Sequence, residues 1–272
     1  MKIPLKKIKE EIKAKLNNEN QAFHIISKAT NLTKTEYLID TDKEIDVETY
    51  NKINEMAEDL QKDIPLAYIL GNQDFCGYEF AVGPGVLIPR VETEELVYKV
   101  LDYVEKNSIS NIKILELCGG SGCIGISLAK KIKNSSVVII EKDGIAFEFL
   151  NRNLHNLKAE NVSVFLDDVL SCYDKFPDYE FDIIISNPPY IKTEVLENLD
   201  KSVKFEPSMA LDGGKDGLLF YKNFSVHWLS KLKEDGVMFL EIDDENVKDL
   251  FDNIQIEKDY FGNTRFAIVK RR

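Results

Sequence analysis

Residues 112–122 read IKILELCGGSG, an apolar run that ends in a glycine-rich turn. The run predicts a buried strand, and the apolar spacing that follows predicts a helix over 124–132. Gly119, Gly120 and Gly122 would let the backbone approach a ligand closely, and the helix N-terminus favours a negatively charged group. The turn alone does not establish a site, since a tight strand-to-helix connection without a ligand would carry the same glycines.

The same alternation of strand and helix continues along the chain after residue 91. Helices are predicted over 92–105, 146–157 and 217–233. Strands are predicted over 137–141, 162–166, 181–186 and 237–242, with two closing strands over 253–258 and 264–269. Nearly continuous apolar strands that alternate with helices indicate an α/β fold with a mostly parallel sheet covered on both faces. The closing pair predicts an antiparallel edge.

The first sixty residues differ, because their apolar side chains recur at helical spacing. Ile8 and Ile12 lie on one such stripe, and another runs over 47–60 behind Asp46, the expected N-cap. We therefore predict a small helical domain over 1–64.

A different pattern follows at 65–90, where short apolar runs at 67–71 and 78–82 are broken by Gly and Asn. This pattern predicts a β-hairpin linker between the helical domain and the remaining domain, residues 91–272.

The charge of the chain limits its partners. Its 272 residues carry 35 basic and 47 acidic side chains, a formal net charge of −12. Proteins that hold a nucleic-acid backbone usually present a basic face, so direct nucleic-acid binding is not expected. The 4 cysteines form no CxxC pair and the 3 histidines are scattered, so no metal site is predicted. No signal peptide or membrane-length apolar stretch is visible, which predicts a cytoplasmic protein.

Acidic residues end two further predicted strands. Glu141 ends one about twenty residues after the glycine turn, and Asp167 and Asp168 end the next. Ligands of open α/β sheets bind outside the carboxyl ends of the strands, where one acid can accept ribose hydroxyls and another an adenine amine. Each acid alone would be explained as a solvated loop charge. Together with the glycine turn they predict an adenosine pocket.

The absence of two sequence motifs limits which ligands could occupy that pocket. Without GxGxxG spacing a dinucleotide is disfavoured, and without GxxxxGK[ST] so is an ATP-hydrolysing P-loop. S-adenosylmethionine fits better, because it combines an adenosine with an amino-acid carboxylate and has no phosphate.

The strand over 181–186 runs into Asn187, Pro188, Pro189 and Tyr190. The prolines remove two backbone donors and fix φ at about −65°, which leaves a rigid run of carbonyl acceptors. This run suits a planar amino group, whose N–H bonds would go to Asn187 Oδ1 and the Pro188 carbonyl while its π face lies on Tyr190. A proline-rich strand exit without a ligand would leave the Asn and the Tyr unexplained.

Asn-Pro-Pro-Tyr after a strand is typical of methyltransferases that act on planar nitrogens, and other segments narrow the family. These segments are Pro65–Gly71, Phe75–Phe80, Val86–Glu94, Phe205–Pro207 and Ala210–Leu218. Over nearly the whole chain the sequence closely resembles the protein-(glutamine) methyltransferases of bacterial peptide chain release factors. The resemblance implies an N-terminal helical domain followed along the chain by a Rossmann-like, S-adenosylmethionine-dependent domain. It also implies methylation of the glutamine amide nitrogen in the release factor's Gly-Gly-Gln motif.

The resemblance further implies the roles of individual residues. The catalytic set would be Asn187, Pro188, Pro189 and Tyr190. The cofactor-binding set would be Cys118, Gly119, Gly120, Ser121, Gly122, Glu141, Asp168, Val169 and Asn187. The chain departs from the family's usual pattern in having Glu116 and Glu141 for Asp, Cys118 for Gly and Val91 for Pro.

The helical domain carries no candidate catalytic residues and is expected to recognise the body of the release factor. The enzyme is expected to be a monomer. Three alternatives stay open: a glutamine methyltransferase of a ribosomal protein, an adenine-specific nucleic-acid methyltransferase, and a non-catalytic adaptor that has lost cofactor binding. The segment 90–94 argues against the first and the acidic balance against the second. Titration with S-adenosylmethionine would distinguish the third alternative, because an adaptor that has lost cofactor binding would not bind it.

Overall fold

The computed structural model describes residues 2–39 and 42–271. They form two compact units. The first contains the described residues among 1–72 together with 200–205, and the second contains residues 73–199 and 206–271. Residues 65–72 thus belong to the first unit, whereas the sequence pattern assigns them to a linker. No helix among the described residues is long and apolar enough to cross a membrane.

Helices dominate the first unit. They are α1 (Leu5–Leu16), α2 (Glu19–Thr30), α3 (Lys34–Ile39), α4 (Val47–Gln61) and α5 (Leu66–Leu70). The predicted N-cap is confirmed, since the Asp46 carboxylate accepts a hydrogen bond from the Thr49 amide at 2.8 Å. The sequence pattern missed a small antiparallel sheet of β1 (Lys2–Pro4) and β2 (Glu44–Asp46), because strands this short show too little alternation.

The hairpin that follows α5 pairs different residues from those predicted. It joins β3 (Asn72–Phe75) to β4 (Tyr78–Ala81). The run 67–71, expected to be its first strand, forms α5 and ends at Gly71, whose left-handed φ of 74° caps the helix. Periodicity cannot distinguish a strand from a helix in an apolar run of this length.

A seven-stranded sheet forms the core of the second unit. Its strands are β5 (Lys113–Leu117), β6 (Ser136–Glu141), β7 (Val162–Leu166), β8 (Phe181–Ser186), β9 (Leu232–Glu241), β10 (Ile254–Lys258) and β11 (Thr264–Lys270). Their order is β10-β11-β9-β8-β5-β6-β7. β9, β8, β5, β6 and β7 are parallel, and the closing strands β10 and β11 are antiparallel. The predicted mostly parallel sheet with an antiparallel edge is confirmed.

Four helices accompany the sheet. They are α6 (Val91–Lys106), α7 (Cys123–Lys131), α8 (Gly144–Leu157) and α9 (Leu219–Asn223). Alternate strand residues feed two apolar clusters, one on each face of the sheet. The helix predicted over 217–233 is confirmed as a continuous helical run over 219–231, but its geometry changes along the run. α9 passes into a π-helical turn at Phe224–Trp228 and then into a 3₁₀ turn at Leu229–Lys231. The π-helical turn buries Trp228, whose indole N–H donates to the Val169 carbonyl at 3.0 Å.

Candidate functional site

The order of the strands reverses between β5 and β8, which leaves a crevice at their carboxyl ends. Leu117 pairs in register with Ser186, so the residues that follow them, Cys118 and Asn187, lie at this crevice. Glu141 ends the neighbouring strand β6. The topology therefore brings the glycine turn, the acid and the Asn-Pro-Pro-Tyr segment together.

Two cavities that share Cys118, Gly120 and Asn187 in their walls open at the crevice. The strand-end cavity is lined by Cys118, Gly120, Glu141, Asp168, Val169 and Asn187, among others. The glycine-turn cavity is lined by Thr93, Glu116, Cys118, Gly119, Ser121 and Asn187, among others. Within the described chain, every residue of the predicted cofactor-binding set except Gly122 borders at least one of them.

The glycine turn is shaped by contacts that a side chain would block. A Cβ on Gly119 would lie 2.3 Å from Ile139 Cγ2, and a Cβ on Gly122 would lie 2.4 Å from Leu150 Cδ1. Gly122 has a φ of +77° at the start of α7, so it forms the turn without bordering a cavity. The half-buried Cys118 has a φ of +61°, a backbone conformation that favours glycine.

Glu141 is held by backbone amides. Its carboxylate accepts hydrogen bonds from Gly120 N and Asp143 N, each at 2.7 Å. Burial raises the pKa of the carboxyl, and these amide donors oppose that rise. The residue predicted to bind a ribose thus also ties the glycine turn to the end of β6.

Glu116 presents a buried oxygen that lacks a partner. Oε2 accepts a hydrogen bond from Gly125 N at 2.8 Å, whereas Oε1 has no hydrogen-bond partner among the described residues. Burial raises the pKa of this carboxyl well above its usual range. An orphaned carboxylate oxygen in a cavity wall suits a cationic group, which would offset the desolvation of the charge. The ammonium of S-adenosylmethionine is such a group, so these residues fit that cofactor.

Asp168 and Val169 form a wall of the strand-end cavity. Asp168 Oδ2 forms an ion pair with Lys142 Nζ at 2.8 Å, and the Val169 carbonyl is fixed by the indole of Trp228. Asp167, the other acid at this strand end, borders neither cavity in the part of the chain that is described.

The Asn-Pro-Pro-Tyr segment divides between two surfaces. Asn187 and Pro189 border the strand-end cavity, whereas Pro188 and Tyr190 are absent from the described walls of both cavities. Tyr190 packs with the apolar cluster on one face of the sheet, and its hydroxyl donates to Glu241 Oε1 at 3.3 Å. The stacking of its ring on a substrate stays a prediction.

Two glycines support the backbone of Tyr190. Gly213 N donates to the Ile191 carbonyl at 2.8 Å, and a Cβ on Gly213 would lie 2.7 Å from Tyr190 Cα. A Cβ on Gly217 would lie 2.5 Å from the Tyr190 carbonyl oxygen. These contacts explain the glycines of the segment 210–218, since a side chain at either position would push the tetrapeptide away.

An ion pair joins two loops at the strand-end cavity. Arg90 Nη2 pairs with Glu206 Oε1, and Glu206 Oε2 accepts a hydrogen bond from Ile88 N at 3.0 Å. Leu87 and Pro207, the neighbours of these residues, both line the cavity. The pair therefore holds two of its walls together, a function that the motif residues did not reveal in the sequence.

A buried acid that belongs to no sequence motif lies next to Asn187 on the neighbouring strand. Glu241 ends β9, the parallel neighbour of β8, and is 1% exposed. Thr93 joins the two: its Oγ1 accepts from Asn187 Nδ2 at 3.1 Å and donates to Glu241 Oε2 at 2.7 Å. The available signal was an acid inside the apolar run VMFLEI at 237–242.

Models of known families match two parts of the chain. One, described as the PrmC N-terminal domain, matches residues 5–71. Another, described as conserved hypothetical protein 95, matches residues 93–223.

Similar proteins span nearly the whole chain. A release factor glutamine methyltransferase of Fusobacterium nucleatum is 37% identical over 258 residues, which are 91% of this chain and 72% of that protein. A release factor glutamine methyltransferase of Thermodesulfovibrio yellowstonii is 34% identical over 98% of each chain.

Solved structures share the fold at low identity. The hMettl16 catalytic domain, in complex with the MAT2A 3'UTR hairpin 1, has a TM-score of 0.54 and 13% identity over 83% of this chain and 80% of its own. The T. thermophilus 16S rRNA N2 G1207 methyltransferase, in complex with AdoMet and guanosine, has a TM-score of 0.51 and 17% identity over 74% of this chain and 50% of its own. These likenesses confirm the predicted Rossmann-like fold.

Proposed function

The chain belongs to the release factor glutamine methyltransferase family, and we propose that it methylates the side-chain amide nitrogen of the Gly-Gly-Gln glutamine in a peptide chain release factor. The observation that carries the proposal is the placement of Asn187. Asn187 borders both cavities at the strand-order reversal, beside the glycine turn. A cofactor whose two ends occupy the two cavities would therefore pass Asn187, whose side chain could hold an acceptor beside it.

The cofactor of this proposal is S-adenosylmethionine, which supplies an electrophilic methyl group when it is bound. Glu141 and Asp168, in the wall of the strand-end cavity, would hold the adenosine. The unpartnered Oε1 of Glu116 would accept from the ammonium, and the glycine turn at the N-terminus of α7 would face the carboxylate.

The acceptor is a weak nucleophile, because the lone pair of an amide nitrogen is delocalised into its carbonyl. Asn187 Oδ1 and the Pro188 carbonyl would accept the two N–H bonds and aim the nitrogen for in-line displacement. The bound cofactor would supply the methyl group, with a C–N bond formed in place of its C–S bond, and the nitrogen would release one proton to water. Positioning of this kind can supply up to about 7–11 kcal/mol of the barrier reduction.

Selection of the protein substrate is assigned in this proposal to the first unit. A glutamine side chain offers few contacts, whereas standard protein interfaces bury about 1,200–2,000 Å². Leu38 and Ile39 of α3 are 58% and 74% exposed, which is typical of apolar contact residues. Leu38→Ser with Ile39→Ser should raise KM for whole release factor about tenfold, as lost contacts at interfaces do. KM for a short Gly-Gly-Gln peptide should not change, and an equal rise for both substrates would refute this role.

The experiment that tests the proposed function compares substrate classes. Purified enzyme and methyl-labelled S-adenosylmethionine are incubated with a release factor, with ribosomal proteins and with DNA. Label should enter the release factor and be lost when its Gly-Gly-Gln glutamine is replaced by Ala. Label in ribosomal protein or DNA would instead support the sister activities, and absence of cofactor binding in calorimetry would support a non-catalytic adaptor.

A further inference from the structure

We propose that Glu241 is a positioning residue that sets, through Thr93, which way round the Asn187 amide faces, so that Oδ1 is presented to the acceptor nitrogen. The inference rests on the proposed function, since it names how the same site is oriented. Glu241 touches neither cavity in the described structure, and Thr93 stands between it and Asn187.

The three groups form one directional chain of hydrogen bonds. Asn187 Nδ2 donates to Thr93 Oγ1 at 3.1 Å, and Thr93 Oγ1 donates to Glu241 Oε2 at 2.7 Å. Thr93 is 2% exposed and Glu241 is 1% exposed, so water cannot readily replace the hydrogen bond between them. This chain holds the Nδ2 end of the Asn187 amide.

The ionised carboxylate fixes the direction of this chain. A carboxylate only accepts hydrogen bonds, so the single hydroxyl proton of Thr93 must point to Glu241. Thr93 Oγ1 then has only lone pairs left for Asn187, and only Nδ2 can donate to them. Oδ1 is left on the other side of the amide, where the proposed function requires an acceptor.

The surroundings hold Glu241 in place. Its backbone carbonyl accepts a hydrogen bond from the Tyr221 hydroxyl at 2.7 Å, and its backbone pairs in register with Phe266 of β11. Its other carboxylate oxygen, Oε1, accepts from the Tyr190 hydroxyl at 3.3 Å. A carboxylate with both oxygens engaged and its backbone pinned acts as a rigid reference for Thr93.

Protonation would reverse the chain. Burial raises the pKa of Glu241 to about 7, with Glu92 adding to the rise, while Thr93, Tyr190 and Arg265 lower it. A protonated Glu241 can donate to Thr93 Oγ1, which frees the Thr93 proton to point at Asn187. The amide would then turn its Oδ1 to Thr93 and its NH₂ to the acceptor. The carboxylate form is the competent one.

The test is the pH dependence of single-turnover methylation of a Gly-Gly-Gln release factor. The wild-type rate should fall about tenfold per pH unit below a midpoint near 7. In Glu241→Gln the side chain carries no charge at any pH and can present its NH₂ as well as its oxygen to Thr93, so the step near pH 7 should disappear and the rate should drop by up to roughly 10²-fold. In cofactor-free wild-type enzyme, the side-chain NH₂ resonances of Asn187 should shift with the same midpoint.

Matched variants separate positioning from simple loss of structure. Thr93→Ser keeps the hydroxyl and should retain the wild-type profile, whereas the isosteric Thr93→Val should lose both rate and midpoint. Ser135→Ala removes a buried hydrogen bond, from Ser135 Oγ to the Ile132 carbonyl, that lies outside the carboxylate chain and outside both cavities, so its profile should match wild type. If the wild type methylates the release factor but Glu241→Gln keeps its pH step, the positioning role is wrong. If the wild type itself transfers no methyl group, the proposed function is wrong instead.

Discussion

Two buried carboxylates lie at the same edge of the sheet and are held in different ways. Glu141, at the end of β6, accepts hydrogen bonds from two backbone amides. Glu241, at the end of β9, accepts from the side-chain hydroxyls of Thr93 and Tyr190. Burial raises the pKa of both. The surroundings thus differ in the kind of donor that they offer, not in polarity.

The kind of donor decides what each acid can do. A backbone amide can only donate, so the contacts of Glu141 fix a conformation and cannot be reversed. A hydroxyl donates or accepts, so the contacts of Glu241 transmit its charge state to Asn187. We call the end of β6, with Glu141 and the glycine turn, the cofactor edge of the proposed site, and the ends of β8 and β9, with Asn187 and Glu241, its acceptor edge. The cofactor edge is a rigid support, whereas the direction of the hydrogen bonds at the acceptor edge can be reversed.

The largest effect is expected at Asn187, where the two edges meet. Asn187→Ala removes the acceptor for the reacting amide and should lower kcat by about 10³-fold, the upper range for the loss of one positioned hydrogen-bonding group. Affinity for S-adenosylmethionine should stay within about tenfold, because the lost contact is mainly with the acceptor. Stopped-flow or quench-flow turnover with calorimetry on the same preparation checks both values. Equal losses in rate and affinity would place Asn187 at the cofactor edge only.

Glu241 should make stability depend on pH. Its pKa in the folded protein is about 7, against an ordinary value of 4.5. Its folded-state preference for the proton therefore stabilises the fold below about pH 4.5 and is lost as pH rises through 7, at a cost of up to about 3 kcal/mol. Urea unfolding at pH 5 and pH 8 should show this fall in the wild type and a smaller fall in Glu241→Gln. An identical fall in both proteins would assign it to other groups.

Glu141 should show its support of the glycine turn in cofactor affinity. Glu141→Gln puts an NH₂ group against backbone donors and should weaken S-adenosylmethionine binding by about 2 kcal/mol, within the range for hydrogen bonds to charged groups. Glu148→Gln removes the same charge from an exposed position of α8 and should leave the affinity unchanged. Isothermal titration measures both, and unchanged affinity in Glu141→Gln would mean that the ribose is held elsewhere.

The smallest effect is expected at the ion pair that joins the two cavity walls. Arg90 is 37% exposed, so Arg90→Met should lower the free energy of unfolding by only about 1 kcal/mol. The exposed ion pair of Lys62 with Asp59 gives the matched control, because Lys62→Met should change the free energy of unfolding by less than about 0.5 kcal/mol. Chemical denaturation compares the two, and equal values would show that the buried Glu206 adds nothing.

The convergence of the glycine turn, Glu141 and Asp168 at one crevice could be predicted from the sequence, because these residues follow or end neighbouring strands. Their roles in cofactor binding stay a prediction. Gly120 and Asp143 lie near the ends of the strands that carry the motifs, and the acids occur at regular intervals along the chain. The run 67–71 could not be assigned in the same way. It is too short for periodicity to separate strand from helix.

The acceptor edge could be predicted only in part. Asn187 was identified by its motif, but its bond to Thr93 spans 94 positions, and the bond from Thr93 to Glu241 spans 148. No local pattern carries such contacts. The register of β8 and β9 had to be known before the acid at residue 241 could be set beside Asn187.

The most direct test of the proposed function is to locate the transferred methyl group. Fragment-ion mass spectrometry of a release factor, treated with enzyme and S-adenosylmethionine, reports which atom gains it. Wild-type enzyme should place one methyl group on the side-chain amide nitrogen of the Gly-Gly-Gln glutamine, and Asn187→Ala should place almost none. A methyl group on any other residue would refute the proposed function, and the same yield from both enzymes would refute the role of Asn187.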